Sequence, residues 1–198
     1  MMYVTCLHRP RVAALTRRYD PPRALRAALA PQRIPRVIRQ AIFPRHAGVP
    51  QLMHAHGPGT WLARNPEYAY RLYLEPDMER MVVLFFTSDV SDLMSDGHAS
   101  DHDYDQDEEE DKKYIVEEFR LKYRALRGAE RADVWRAVVM ATCGGVYVDI
   151  DTACLRPLRE WVRPADRYVG GLSRVTHGCL HQHVIVAEAG HPALVRYA

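Results

Sequence analysis

No run within the 198 residues approaches the eighteen or so uncharged apolar positions that a membrane span requires. The four cysteines, Cys6, Cys143, Cys154 and Cys179, form no CxxC pair. That removes the commonest zinc and redox motifs and leaves them to be read as reduced thiols of a cytosol-like compartment. Arg9, Arg11, Arg17 and Arg18 interrupt the N-terminus, so a signal peptide's apolar region is missing. The first 45 residues also contain no serine, which argues against an organelle transit sequence. Acids are scarce there too, with Asp20 alone against ten arginines. The reverse holds in 89–111, where eleven acids stand without one Lys or Arg. The formal net charge of +2 therefore conceals a basic body and an acidic block. A basic body suits either solvated surface arginine or a ligand carrying a polyphosphate; nucleic acid is not the expected partner.

What is present is enough apolar sequence (47%) to build one globular core. Residues 1–32 read as a basic, poorly ordered extension with one short helix around Ala24–Leu29. Residues 33–198 read as one α/β domain, with an acidic mobile insertion at about 88–112. "PRVIRQAIF" (Pro35–Phe43) is a β-branched strand candidate, and the turn-rich stretch 46–59 reads as loop. "NPEYAYRLYL" alternates as a strand; "DMERMVVLFF" is ambiguous between helix and strand, and Asp77 as N-cap favours helix. From Tyr114 a helical face of Ile115, Val116, Phe119, Tyr123 and Leu126 appears. A second helix, Glu130 to about Cys143, carries Val134, Val138, Val139 and Met140 inward and ends at Gly144-Gly145. "VYVDID", "DRYVGGL" and "HVIVAEA" are further strands, and a last helix starts at Pro192. Strands alternating with helices indicate an α/β layered fold. In "DHDYDQDEEEDK", Asp101, Asp103 and Asp105 mimic a calcium loop, but Gln106 replaces its glycine and Lys112 its glutamate, so a solvated charge run is expected.

The chemistry concentrates in "GGVYVDIDTACLRPL" (Gly144–Leu158). Asp149 and Asp151 share one parity at the C-terminal end of a buried strand, which is where open α/β sheets bind ligands. Two carboxylates so close repel unless a cation joins them. A hard divalent ion such as Mn²⁺ or Mg²⁺, shared with substrate phosphates, meets that need. Upstream, Asp133 and Arg136 are three apart on a helix and so are neighbours.

These residues carry a resemblance. "AERADVWRAVVMATCGGVYVDIDTACLRPL" (Ala129–Leu158) resembles the sugar-binding region of DXD glycosyltransferases of the initiation-specific mannosyltransferase type, family 32. Ala129, Asp133, Arg136, Gly144, Gly145, Tyr147, Asp149 and Asp151 match its pattern. "IPRVIRQAIF" resembles the family's first strand, Trp61 with "NPEYAYRLY" its second, and "QHVIVAEAGHP" (Gln182–Pro192) a later segment. The resemblance implies a GT-A-like nucleotide-sugar-binding fold: a Rossmann-like mixed sheet flanked by helices. It implies a retaining hexosyltransferase that takes a nucleoside-diphosphate sugar donor and a glycan or glycolipid acceptor. By carry-over, Asp151 chelates the metal, and Asp149 contacts the ribose or the metal through water. Asp133 and Arg136 hold sugar hydroxyls, and Gln40, Gly145, Tyr147 and Gln182 complete the donor site. Asp149, Asp151 and Arg136 form the implied catalytic set. A membrane glycosylation site would then be the place of action, although no anchor is recognisable.

The sequence departs from the pattern at several points. Arg39 replaces a histidine, Ile42 and Tyr73 replace tryptophans, and Gln182 replaces an asparagine; Phe43 is the aromatic that remains near the base-binding strand. Relatives usually continue past the position of Ala198, so a C-terminally truncated fold is expected. "VYVDIDTA" also resembles the nucleophile strand of haloacid-dehalogenase-type phosphatases, but Ala153 stands where that motif has Thr or Val. A non-catalytic nucleotide-sugar-binding or scaffold protein is the other reading. The HxH pairs, His54/His56 and His181/His183, have metal-ligand spacing and are read as incidental.

Overall fold

The computed structural model describes residues 18–27, 29–42, 57–93, 106–172 and 180–196. The strands are β1 (Arg18–Tyr19), β2 (Val37–Ile42), β3 (Ala69–Leu74), β4 (Gly145–Val148), β5 (Tyr168–Leu172) and β6 (Leu180–Ala187). The helices are α1 (Arg23–Ala27), α2 (Pro58–Arg64), α3 (Glu75–Leu93), α4 (Gln106–Ala125), α5 (Gly128–Cys143) and α6 (Pro192–Val195). One sheet collects the strands in the order β1-β3-β2-β4-β6-β5. β3, β2 and β4 run parallel, because helical crossovers return the chain to the same edge each time. β1, β6 and β5 pair antiparallel to their neighbours. The chain is thus a mixed α/β protein whose six-stranded sheet is flanked by helices, in agreement with a GT-A-like fold.

Strand alternation divides the core into two layers. Ile38, Tyr70, Leu72, Val146 and Val148 point to one face, where Trp61 of α2 and the segment carrying Cys154, Leu158 and Val162 cover them. Tyr147, Ile185 and Ala187 point to the other, against Met78 and Val82 of α3, Tyr123 of α4 and Trp135 to Ala141 of α5. Each fully buried aliphatic chain, such as Val138, Val139 or Val146, contributes roughly 1.5–3 kcal/mol relative to exposure.

Gly144 and Gly145 turn the chain from α5 into β4 with φ of 58° and 102°. A Cβ on Gly145 would lie 2.6 Å from the Val37 carbonyl oxygen, and one on Gly144 would lie 2.5 Å from the Ala189 nitrogen. The double glycine is therefore demanded both by backbone conformation and by close passage of β2 and of the segment after β6.

Several expectations change. The segment read as loop up to Gly59 contains the start of α2, because Pro58 occupies the first helical turn, where its missing N–H is no loss. Part of the N-terminal extension joins the sheet: β1 pairs with β3, Arg71 bonds the Tyr19 carbonyl at 2.9 Å, and Arg71 meets Asp20 at 2.5 Å. The first short helix covers Arg23–Ala27 rather than reaching Leu29. α5 is buried over the unbroken run Trp135–Ala141, not on one face alone, since the sheet, α3 and α6 all pack against it. Helices α3 and α4 extend into both ends of the acidic stretch, to Leu93 and from Gln106. The rest of that stretch, with Asp101, Asp103 and Asp105, lies outside the described residues, as do Phe43, His54 and His56. Among the described residues no helix is long and apolar enough to cross a membrane.

Candidate functional site

β4 ends at Val148, and the next residues, Asp149 to Asp151, form a turn at the C-terminal edge of the parallel strands. Parity carries Asp149 to the same side as Tyr147, beneath the N-terminal half of α5. There the Arg136 guanidinium, with only 6% of its side chain exposed, gathers four groups. It donates to the Asp133 carboxylate, to Gln182 Oε1 at 2.6 Å and to the Tyr147 hydroxyl at 3.4 Å. Its Nη1 lies 3.5 Å from Asp149 Oδ1. It also lies 5.2 Å from the centre of the Tyr147 ring. The acids are more open than the arginine, with Asp133 51% and Asp149 34% exposed. A buried cation thus presents partly solvated oxygens outward.

Tyr147 donates its hydroxyl to Asp149 Oδ1. Burial, reinforced by the Asp149 carboxylate, pushes the Tyr147 phenol well above its ordinary range, so it stays a proton donor. The Asp149 backbone is held separately. Its N–H donates to the His183 carbonyl at 2.9 Å, continuing the β4–β6 ladder past the strand's end. Its carbonyl accepts from Gln40 Nε2 at 3.0 Å and from Thr152 Oγ1 at 2.6 Å. Gln40 is wholly buried, and its other end accepts from the Tyr70 hydroxyl at 2.8 Å. Both ends of that amide are therefore occupied, one on the Asp149 carbonyl and the other by the Tyr70 hydroxyl.

A further layer anchors the turn. Trp61 Nε1 donates to the Thr152 carbonyl at 3.0 Å, Thr60 Oγ1 accepts from the Cys154 N–H at 2.9 Å, and Asn65 Oδ1 accepts from the Leu158 N–H at 2.6 Å. Trp61 and Asn65 are visible in the sequence as motif letters; this task of fastening the segment after the aspartates is not. Arg39 behaves similarly at the opposite end of β4. It donates to the Gly144 carbonyl at 2.8 Å and to the Tyr73 hydroxyl at 2.6 Å, placing a cation at the C-terminus of α5.

The fold therefore brings Asp133, Arg136, Tyr147, Asp149 and Gln182 into one cluster, with Gln40 behind it. Gly145 lies at the other end of the strand, where it serves the backbone approach already described. Asp151 stands apart, exposed in the turn, with no hydrogen bond or ion pair to the described residues. His181 and His183 flank Gln182, their rings 4.4 Å apart.

Among the described residues no group of three or more His, Cys, Asp or Glu side chains is placed to hold a metal ion. A closed structural metal site is not built among these residues. A hard divalent cation needs less from the protein, one or two carboxylates with phosphate oxygens and water completing its shell. The unpartnered Asp151 carboxylate and the half-engaged Asp149 carboxylate fit that demand.

The family model described as "Glycosyltransferase sugar-binding region containing DXD motif" matches residues 54–168, more than half of the chain. That span contains α5, β4 and both aspartates. No curated protein matches the chain.

Proposed function

The chain belongs to the family of glycosyltransferase sugar-binding regions containing a DXD motif, and from that premise we propose that it is a metal-dependent hexosyltransferase. It takes a nucleoside-diphosphate sugar as donor and a hydroxyl of a glycan or glycolipid as acceptor, with retention at the transferred carbon. The observation that carries this reading is the Arg136 cluster. One buried guanidinium fixes Asp133, Gln182, Tyr147 and Asp149 around the C-terminal end of β4.

In this reading Asp133 and Gln182 accept and donate hydrogen bonds to hydroxyls of the donor sugar, with Arg136 holding both in place. Asp149 lies beside Arg136 and receives the Tyr147 hydroxyl on Oδ1, so its remaining oxygen faces the ribose or a cation-bound water. Asp151 supplies the open carboxylate for the cation. Mn²⁺ or Mg²⁺ held there would offset the charge that develops on the departing diphosphate. Gln40, Thr152 and Trp61 hold the turn so that the two carboxylates do not have to be ordered by the ligand.

The reading is tested by titrating UDP- and GDP-sugars with and without Mn²⁺, and then following donor hydrolysis and transfer to simple glycosides. Metal-dependent binding followed by turnover is expected. Metal-dependent binding without turnover identifies a nucleotide-sugar-binding protein instead, and absence of any binding contradicts both.

A further inference from the structure

A second candidate site lies on β6, where His181 and His183 converge. Alternate residues of a regular strand are rooted about 6.5–7 Å apart. The two imidazole rings nevertheless stand 4.4 Å apart, centre to centre. The local backbone explains the approach. From Leu180 to Ile185 β6 advances five residues, while β5 advances two, from Gly170 to Leu172. The surplus residues form a bulge, and a bulge re-aims the side chains it carries. Gly171 is the β5 residue that faces it, and a Cβ there would stand 3.5 Å from His181 Cδ2. The His181 ring therefore lies over a glycine, with no side chain at that position to cover it.

Neither imidazole has a hydrogen bond or ion pair with the described residues, and neither is sealed from solvent. Two polar rings brought together with no bond to the protein leave their nitrogens free for a shared ligand. Imidazole suits Zn²⁺, Cu²⁺ and Ni²⁺, and the ring separation narrows that choice. Two imidazoles on one ion, at metal–nitrogen distances of about 2.0–2.1 Å, have ring centres about 4.5 Å apart at a right angle and about 5.2 Å apart at a tetrahedral angle. The 4.4 Å separation matches the right angle, the habit of Ni²⁺ and Cu²⁺ rather than of tetrahedral Zn²⁺. No third His, Cys, Asp or Glu among the described residues is placed to join the pair, so water fills the remaining positions.

We propose that His181 and His183 form an open two-imidazole site for a divalent transition-metal ion of the Ni²⁺ or Cu²⁺ kind. Gln182 between them bonds Arg136, and the His183 carbonyl accepts the Asp149 N–H. An ion held there would stiffen the strand end that backs the aspartates. Its nitrogen ligands set it apart from the aspartate pair, whose oxygens suit hard ions, and it does not depend on the proposed transferase reading.

The test uses the full chain and NiCl₂ as probe, by calorimetric titration in a chelator-free buffer with excess Mg²⁺. Saturable Ni²⁺ binding is expected, weakened at least tenfold in His181→Asn and in His183→Asn. His183 is exposed, so its variant decides the matter if His181→Asn fails to fold. Binding should be unchanged in the double variant His54→Asn, His56→Asn and in Asp151→Asn, which separates the site from the other histidine pair and from the donor-site cation. No saturable Ni²⁺ binding, binding that survives His183→Asn, or binding lost in Asp151→Asn overturns the proposal. UDP-sugar binding measured alongside keeps this outcome distinct from the fate of the donor site.

Discussion

Arg136 of α5 and Asp149 at the end of β4 stand 3.5 Å apart, Nη1 to Oδ1, and this contact ties the helix to the turn that carries the aspartates. The same guanidinium holds Asp133 on its own helix and Gln182 on β6. One side chain thus sets the spacing of three elements, and removing it takes from Asp133 and Asp149 the cation they share.

Arg136→Met should consequently lose both stability and donor binding. Removing one partner of a fully buried pair costs about 3–5 kcal/mol; with both acids partly solvated, about 2 kcal/mol is expected here. Arg136→Lys should fold better than Arg136→Met but still bind donor poorly, because an ammonium cannot bridge so many acceptors with planar geometry. Urea denaturation and donor titration of both variants check this.

Gly145 and Gly190, two of the three glycines with positive φ among the described residues, should separate cleanly. Gly145→Ala combines φ of 102° with a 2.6 Å approach to the Val37 oxygen, and should cost about 3 kcal/mol or more. Gly190→Ala, at φ of 69° with nothing within 4 Å of the new Cβ, should cost about 1 kcal/mol. Denaturation midpoints of the two proteins decide whether close packing, rather than conformation alone, dictates the double glycine.

Gln40→Leu keeps the volume of a wholly buried side chain but strips one partner from the Tyr70 hydroxyl and one from the Asp149 carbonyl. A loss of about 1–3 kcal/mol is expected. Because Thr152 still bonds that carbonyl, donor affinity should fall less than in Arg136→Met. Parallel stability and binding measurements check that ordering.

Alkaline titration should show Tyr147 ionising later than exposed tyrosines, since burial and the Asp149 carboxylate both raise its pKa. The sign follows from linkage. A phenol whose folded pKa is raised contributes stability that is fully present below its unfolded pKa, near 10. That contribution is lost as pH rises through the folded value. Absorbance near 295 nm should therefore show a late phase, one tyrosine smaller in Tyr147→Phe; Tyr123, raised chiefly by burial, contributes to the same phase.

Much of this arrangement is legible from residue order. The parity of Val146, Tyr147, Val148 and Asp149 follows from strand geometry, and the neighbouring of Asp133 and Arg136 from helix geometry. Local rules cover both. α2 is hidden because Pro58 and Gly59 signal a turn as readily as a helix start. The burial of α5 on all sides depends on α3 and α6, which lie far away in sequence, so its periodicity understates the packing. The positioning roles of Gln40, Trp61 and Asn65 rest on partners about 90 to 110 positions away, whose proximity only the sheet order creates.

The most direct test of the central claim is Mn²⁺-dependent binding of a nucleoside-diphosphate sugar to Asp151→Asn beside the parent chain. Asp151 is exposed and has no partner among the described residues, so stability should change by less than about 0.5 kcal/mol. The account predicts that the parent binds donor only with Mn²⁺ and that the variant loses this dependence together with at least tenfold in affinity. Equal, metal-independent behaviour of the two proteins would contradict it.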